Sequence, residues 1–261
     1  MSVLQNISLN KICPDEFIGF AYKENNCVKI YLRDDYDRLF VYAKDHCLYC
    51  RRNAVLYGIT FADIGEPIDL VPESPHIDEF FSKPLRVFNG GVVYCRPVNG
   101  KDCGTAGNLL RLWLSEVLMT NNVITDDLWH PVIIANACQY QCSEGMPTET
   151  GPRDVNFLKL FHGDDVRFNS TELIQRLRSY GSPCKIIVAC TKGNTSFVKD
   201  WLRVHEKNIY ANIHECSLSG CVEYSLMQNG ISFVSVGHPC SWYNPKCRKV
   251  RKIKLLKRRR K

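Results

Sequence analysis

Apolar residues recur at helical spacing after residue 105 and predict the clearest helix of the chain. Thr105 is placed to cap this helix. The apolar side consists of Leu109, Leu110, Leu112, Trp113, Val117 and Leu118. Capping residues and stop signals predict two further helices. One begins at Asn169 or Ser170 and ends at residue 179 before Gly181, and the other spans 195–205. Acidic residues followed by apolar positions predict an earlier helix over 34–44.

Short apolar runs predict strands over 91–95, 133–137, 184–190 and 231–236. The segment 67–84 contains four prolines, so we expect a surface loop there, with one helical turn near 78–81. The polar segment 141–152 is a candidate subdomain boundary. These elements predict an α+β fold, a mixed sheet with packed helices, in a single domain spanning 1–245.

The composition is that of a globular protein, with 45% hydrophobic and 23% charged residues. No apolar run reaches the ~18 to 20 residues of a membrane span, so no membrane association is expected. The N-terminal residues show no basic segment followed by an apolar one, so we expect a reducing compartment. The fourteen cysteines are then expected to be thiols or metal ligands rather than disulfides.

Positive charge is concentrated at the C-terminal end. Residues 246–261 contain eleven Lys or Arg and no acid, whereas the other 245 residues carry 23 basic and 27 acidic side chains. Such a run, expected to be a disordered or helical tail, is typical of a nuclear import signal or of an arm that binds nucleic acid. The predicted nuclear localisation residues are Lys246, Arg248, Lys249, Arg251, Lys252, Lys257, Arg258, Arg259, Arg260 and Lys261.

Cysteine spacing suggests a metal site but does not select its ligands. Cys47 and Cys50 have the spacing with which one tight turn supplies two thiolates to zinc. Other close pairs are Cys95 with Cys103, Cys138 with Cys142, Cys216 with Cys221, and Cys240 with Cys247. Cys184 and Cys190 lie in an apolar run and are expected to be core residues. Common catalytic motifs are absent from the sequence, which predicts a protein that is not an enzyme.

Read in order, four segments resemble the 34-kilodalton early-region-four protein family of adenoviruses in a divergent form. A helix with an acidic start leads into His46, Cys47 and Cys50. A strand then leads to Cys95 and Cys103, followed by small residues and the apolar helix 109–117. Next come a proline, an apolar strand and the segment 197–205. The last segment is the strand 229–236, followed by cysteines and basic residues.

The resemblance implies a viral early regulatory adaptor of the host nucleus, and also of the host cytoplasm. Its implied partners are the large early-region-one-B protein of the virus and elongin B/C with a cullin for ubiquitination of host proteins. The basic C-terminal run adds importin as an expected partner for nuclear entry. The resemblance further implies a role in viral mRNA export, and RNA is another partner that the basic run would suit. It also implies structural zinc, with ligands chosen among Cys47, Cys50, Cys95, Cys103, Cys240, His46 and His238.

Two other functions stay open at the level of sequence. One is a zinc-containing protein that binds nucleic acid through its basic tail. The other is a cysteine-dependent hydrolase, which requires one thiol of unusual reactivity.

Overall fold

The structure is a computed structural model that describes residues 12–25, 27–32, 58–75, 79, 86–88, 91–93, 105–143, 151–164, 166–181 and 184–251. The predicted helix over 34–44 lies outside these residues, and so does most of the turn expected near 78–81.

The described strands form a mixed six-stranded sheet and a separate two-stranded hairpin. The strands are β1 (Glu16–Glu24), β2 (Cys27–Leu32), β3 (Ile68–Val71), β4 (Arg86–Phe88), β5 (Gly91–Val93), β6 (Trp129–Ile134), β7 (Lys185–Val188) and β8 (Phe233–Ser235). The large sheet has the order β2-β1-β6-β3-β7-β8, and β4 pairs with β5. Strands β2, β1 and β6 are antiparallel neighbours, whereas β6, β3, β7 and β8 run parallel.

The described helices are α1 (Thr105–Thr120), α2 (Pro152–Phe161), α3 (Ser170–Ser179), α4 (Thr195–His205), α5 (Lys207–Asn212) and α6 (Leu218–Gln228). Short 3₁₀ helices span Phe61–Asp63, Pro239–Ser241 and Pro245–Arg248. The predicted bounds of α3 and α4 are confirmed. Asn169 and Asn194 act as N-caps, since their side chains accept hydrogen bonds from the backbone N–H groups of Glu172 and Phe197.

Helices cover both faces of the large sheet. Alternate residues of a strand point to opposite faces, and Ile187 and Val188 of β7 belong to two different buried clusters. The cluster that contains Ile187 includes the apolar side of α1, and the cluster that contains Val188 includes residues of α2, α3, α4 and α6. The predicted fold class, an α+β fold with a mixed sheet and packed helices, is confirmed at this level.

One expectation about the sheet is wrong. Residues 68–71 form the buried strand β3 between β6 and β7, within the segment for which a surface loop was expected. Pro67 and Pro72 flank the strand rather than interrupt it, so the backbone N–H groups of the strand remain available for the ladder. The strands predicted over 184–190 and 231–236 are present but shorter, as β7 and β8. The strand predicted over 133–137 is displaced, because β6 begins four residues earlier, at Trp129, and ends at Ile134. The described part of the strand predicted over 91–95 is β5.

Candidate site at the carboxyl edge of the sheet

The parallel strands deliver polar and thiol side chains to one edge of the sheet. Backbone hydrogen bonds continue past the strand ends, from Ala137 N to Pro72 O and from Cys138 N to Glu73 O. The same happens after the last strand, where Val236 N donates to Val188 O. In sheets of parallel strands, ligands bind beyond the carboxyl ends. This edge is therefore the candidate site.

Glu73 is the buried carboxylate of this edge. Only 5% of the residue is exposed. Its Oε2 atom accepts a hydrogen bond of 3.2 Å from Thr191 N and lies 3.6 Å from Nε2 of His238. Its Oε1 atom lies 3.9 Å from Nη1 of Arg153. The carboxylate is thus surrounded by donors from the chain after β7, from α2 and from the chain after β8, and these donors offset the cost of burying its charge.

His238 and Cys240 are the two predicted zinc ligands within the described residues. Nδ1 of His238 accepts a hydrogen bond of 3.2 Å from Cys240 N, while Nε2 faces Glu73. Although part of Cys240 is exposed, the atoms packed around its thiol and the charges of Glu73 and Glu79 raise the pKa of that thiol to about 11. Both ring nitrogens of His238 already have polar neighbours, and the thiol holds its proton at neutral pH.

Among the described residues, no group of three or more His, Cys, Asp or Glu side chains is arranged to hold a metal ion. His46, Cys47, Cys50, Cys95 and Cys103 lie outside those residues. The structure brings His238 next to Cys240 and places Glu73, which the sequence did not suggest, beside both. The zinc site stays a prediction.

Three buried thiols lie behind the edge. The Sγ atoms of Cys138 and Cys142 are 3.8 Å apart, and burial together with Cys138 raises the pKa of Cys142 well above its ordinary value. Cys190 is buried and donates a hydrogen bond of 3.3 Å to Val71 O, so its expected core position is confirmed. Cys184 is half-buried at the start of β7. Burial raises the pKa of each of these last two thiols as well.

The chain after β8 folds back over the sheet and α1 as a segment that we call the C-terminal strap, residues 237–251. Trp242 of the strap is fully buried, and its Nε1 donates a hydrogen bond of 2.7 Å to Gly237 O. Gly237 N donates to Cys247 O at 2.7 Å, which closes the strap into a loop. A Cβ atom on Gly237 would lie 2.8 Å from the side chains of Cys247 and Ser241, so this closure favours glycine.

Two predicted import residues belong to the fold. Arg248 is 5% exposed, and its Nε atom lies 2.8 Å from Oε1 of Glu116 in α1. Arg251 donates through its side chain to Ser219 Oγ and to the carbonyls of Cys190 and Val236, and Arg251 N donates to Ser235 O. Lys246 and Lys249 are exposed. The remaining predicted import residues, Lys252, Lys257, Arg258, Arg259, Arg260 and Lys261, lie outside the described residues.

A buried ionic cluster under α3 was not anticipated from the sequence. Asp15 accepts hydrogen bonds from Arg176, Tyr180 and Gln139, and Arg176 also reaches Glu172 and the carbonyl of Asn136. Burial raises the pKa of Asp69 in β3 well above its ordinary value, and the charge of Asp15 adds to this rise. The sequence carries one signal of the cluster, the spacing of Glu172 and Arg176 on one helix face.

A second polar chain joins α6 to β8. Glu223 accepts from Ser235 Oγ through one carboxylate oxygen, and its other oxygen lies 2.5 Å from Nε2 of His214. The carboxylate therefore lies between the hydroxyl and the imidazole. In a nucleophilic triad the imidazole must contact the hydroxyl, so this arrangement is structural.

None of the described helices is both long enough and apolar enough to cross a membrane. No protein-family model, no curated protein and no solved structure matches this chain.

Proposed function

We propose that the protein is a viral early regulatory adaptor that binds viral and host proteins in the host nucleus. The observation that carries the proposal is the order of the four segments described above, which end in a run of basic residues. Its partners are the large early-region-one-B protein, importin and, for ubiquitination of host proteins, elongin B/C with a cullin. The same adaptor role includes viral mRNA export.

The state of six of the described thiols supports a binding role over thiol chemistry. Burial raises the pKa of Cys142, Cys184, Cys190, Cys216, Cys221 and Cys240. A nucleophilic cysteine requires the opposite shift, toward the thiolate. The functional groups of the carboxyl edge thus act as packing and hydrogen-bonding groups that hold a scaffold.

Co-precipitation with an adenoviral large early-region-one-B protein from nuclei of transfected cells tests the adaptor role. We expect the full-length chain to be retained with that protein and to accumulate in the nucleus. Replacement of Arg258, Arg259 and Arg260 by alanine is expected to reduce nuclear accumulation while binding in cell extracts persists. Failure of the full-length chain to co-precipitate contradicts the proposal.

We also propose that zinc stabilises the domain, since thiolates from distant segments on one ion would tie those segments together. Elemental mass spectrometry of purified protein tests this. We expect one zinc per chain, lost in both Cys47→Ser and Cys95→Ser. Cys27→Ser is the matched control, because Cys27 is exposed and is not a predicted ligand. Equal zinc content in all four proteins contradicts the predicted ligands.

The second candidate is a zinc-containing protein that binds nucleic acid. It is favoured by the absence of acids among residues 246–261, where eleven basic residues offer phosphate contacts. Its signature is RNA or DNA affinity that falls steeply with salt and is lost when residues 252–261 are removed. Retained binding to the early-region-one-B protein by that same truncated chain favours the adaptor instead.

A further inference from the structure

Exposed apolar side chains are concentrated on α1 and the C-terminal strap. Eight large hydrophobic residues are exposed among the described residues, and four of them belong to these two elements. The four are Leu112 (69% exposed), Met119 (44%), Tyr243 (72%) and Val250 (44%). Exposed apolar residues that gather on adjacent elements mark an interaction surface, whereas single ones need no explanation.

Helical geometry puts Leu112 and Met119 on one outward line. They are seven residues apart, which is about two turns or 10 Å along the helix axis. The opposite side of α1, which includes Leu114 and Leu118, is buried against the sheet. Val250 lies next to the end of this line, because its backbone N–H donates a hydrogen bond of 2.7 Å to Asn121 Oδ1.

The surroundings of this line are positively charged. Glu116 is the one acid in α1, and it pairs with Arg248. The strap contains no acid, and Lys246 and Lys249 in it are exposed. The surface therefore combines apolar groups with positive charge. No unpaired acid of α1 or of the strap neutralises that charge.

Exposed apolar residues beside positive charge favour one class of binding partner for this surface. A second copy of the chain would bring equal positive charges together, which opposes self-association. Nucleic acid matches the charge but offers no apolar side chain to Leu112 and Met119. A lipid surface requires a broad apolar face, whereas Ser115 and Glu116 lie between the two apolar residues of α1. A helix with one apolar stripe and acidic flanks matches both features.

We propose that the outer face of α1 and the strap form a docking surface for an acidic amphipathic helix of a protein partner. Leu112 and Met119 contact its apolar stripe, and Lys246 and Lys249 pair with its acids. This inference rests on the proposed function, since it assigns a surface and a partner chemistry to the adaptor.

The probe is a synthetic helical peptide with leucines at heptad spacing and glutamates elsewhere, titrated into isotope-labelled full-length protein. We expect amide shift changes in α1 and in residues 246–251. A peptide of the same composition, scrambled so that leucines and glutamates no longer segregate, is expected to bind at least tenfold more weakly. Equal affinity of the two peptides overturns the proposal, because binding would then depend on charge alone.

Two variants locate the contact. Leu112→Ser and Met119→Ser are each expected to lower the affinity for the amphipathic peptide at least fivefold. Val204→Ser is the matched control, because Val204 is 63% exposed on α4 and lies outside the proposed surface. This variant is expected to bind the amphipathic peptide with the affinity of the unmodified chain. Circular dichroism verifies that all three variants fold. Unchanged affinity in both α1 variants overturns the proposal.

Three further outcomes overturn it in favour of another occupant. These are concentration-dependent dimerisation that Leu112→Ser abolishes, the same shift changes on α1 with an RNA oligonucleotide, and the same changes with vesicles of anionic lipid. The adaptor role is judged separately, by co-precipitation with the early-region-one-B protein. Peptide binding without that co-precipitation refutes the adaptor alone, and co-precipitation without peptide binding at α1 refutes the docking surface alone.

Discussion

The guanidinium carbon of Arg248 lies 3.8 Å from the centre of the Trp113 ring. The same side chain donates to Glu116 in α1 and to the carbonyl of Trp242 in the strap. One arginine thus joins a helix, an aromatic ring and the last described turn of the chain. A residue that appears in the sequence as part of a basic run is a structural element of the domain.

We expect Arg248→Ala to lower the free energy of unfolding by about 2–3 kcal/mol, since it removes a cation–π contact and hydrogen bonds to a charged group. Arg248→Lys is expected to fall between alanine and arginine, because lysine keeps the charge but not the planar fork. Urea denaturation measures both. Lys249→Ala is the control, and its exposed side chain is expected to change stability by less than about 0.5 kcal/mol. Equal midpoints for Arg248→Ala and Lys249→Ala would contradict the assignment.

The side chain of Asn121 holds the strap through hydrogen bonds to the two residues that flank Lys249. Its Nδ2 donates to Arg248 O at 2.8 Å, and its Oδ1 accepts from Val250 N at 2.7 Å. We expect Asn121→Ala to cost about 1–2 kcal/mol and to accelerate hydrogen exchange at the amide of Val250.

Asn212→Ala is the matched control for this change. The Asn212 side chain is exposed and bonds within its own helix α5, at Asn208 O. Its removal should leave exchange at Val250 unchanged. If the amide of Val250 exchanges equally slowly in both variants, the Asn121 side chain does not hold the strap.

Local signals were sufficient to predict some elements. Asn169 and Asn194 cap the helices that their positions suggest, because an asparagine cap needs only residues within the next turn.

The hairpin of β1 and β2 was not assigned. Six consecutive residues at the start of β1 are buried, so the strand lacks the alternation of a half-exposed one. Asn25, with φ 54°, turns that hairpin, as asparagine tolerates the left-handed region.

The candidate site depends on contacts that no local pattern encodes. Glu73 and His238 meet because β3 and β8 flank β7 in the sheet, and strand order is not readable from spacing. Asp69 within β3 reduced the apolar signal of a central strand. Helix α6 was missed for a similar reason, since Ser219, Gly220 and Glu223 are buried beside its apolar residues and interrupt the apolar pattern. Arg248 has the same sequence context as its exposed neighbours, and only packing distinguishes them.

Asp69 should make the protein less stable as pH rises. Burial raises the pKa of Asp69 in the folded state, with Asp15 adding to the rise and Arg176 and Cys184 opposing it. The folded state therefore binds a proton that the unfolded state releases above its ordinary pKa of about 4. The associated stability is complete below that pH and is lost as pH rises through the folded pKa.

The pH dependence of Asp69→Asn tests this sign. We expect the variant to lose less stability than the unmodified protein between about pH 5 and 8, because asparagine does not ionise. Urea denaturation across this range measures the slope of the free energy of unfolding against pH. A change in stability that the buried amide causes equally at every pH does not affect this slope. Asp127→Asn, at an exposed position, should keep the original slope. If both variants show the same slope, Asp69 is not the titrating group.

His162 should give the opposite dependence at acid pH. Its ring lies 6.0 Å from that of Trp201 and 5.4 Å from that of Phe161, and burial lowers the pKa of His162 from about 6.5 to about 4. Between these two pH values the unfolded state binds a proton that the folded state does not bind. The free energy of unfolding therefore falls as pH drops from about 6.5 to about 4, by up to about 3 kcal/mol. We expect His162→Phe, which preserves a ring for stacking, to remove most of this fall in urea denaturation. Direct titration of the His162 ring protons by NMR gives a second measurement. A midpoint near 6.5, or an unchanged acid slope in His162→Phe, would contradict the assignment.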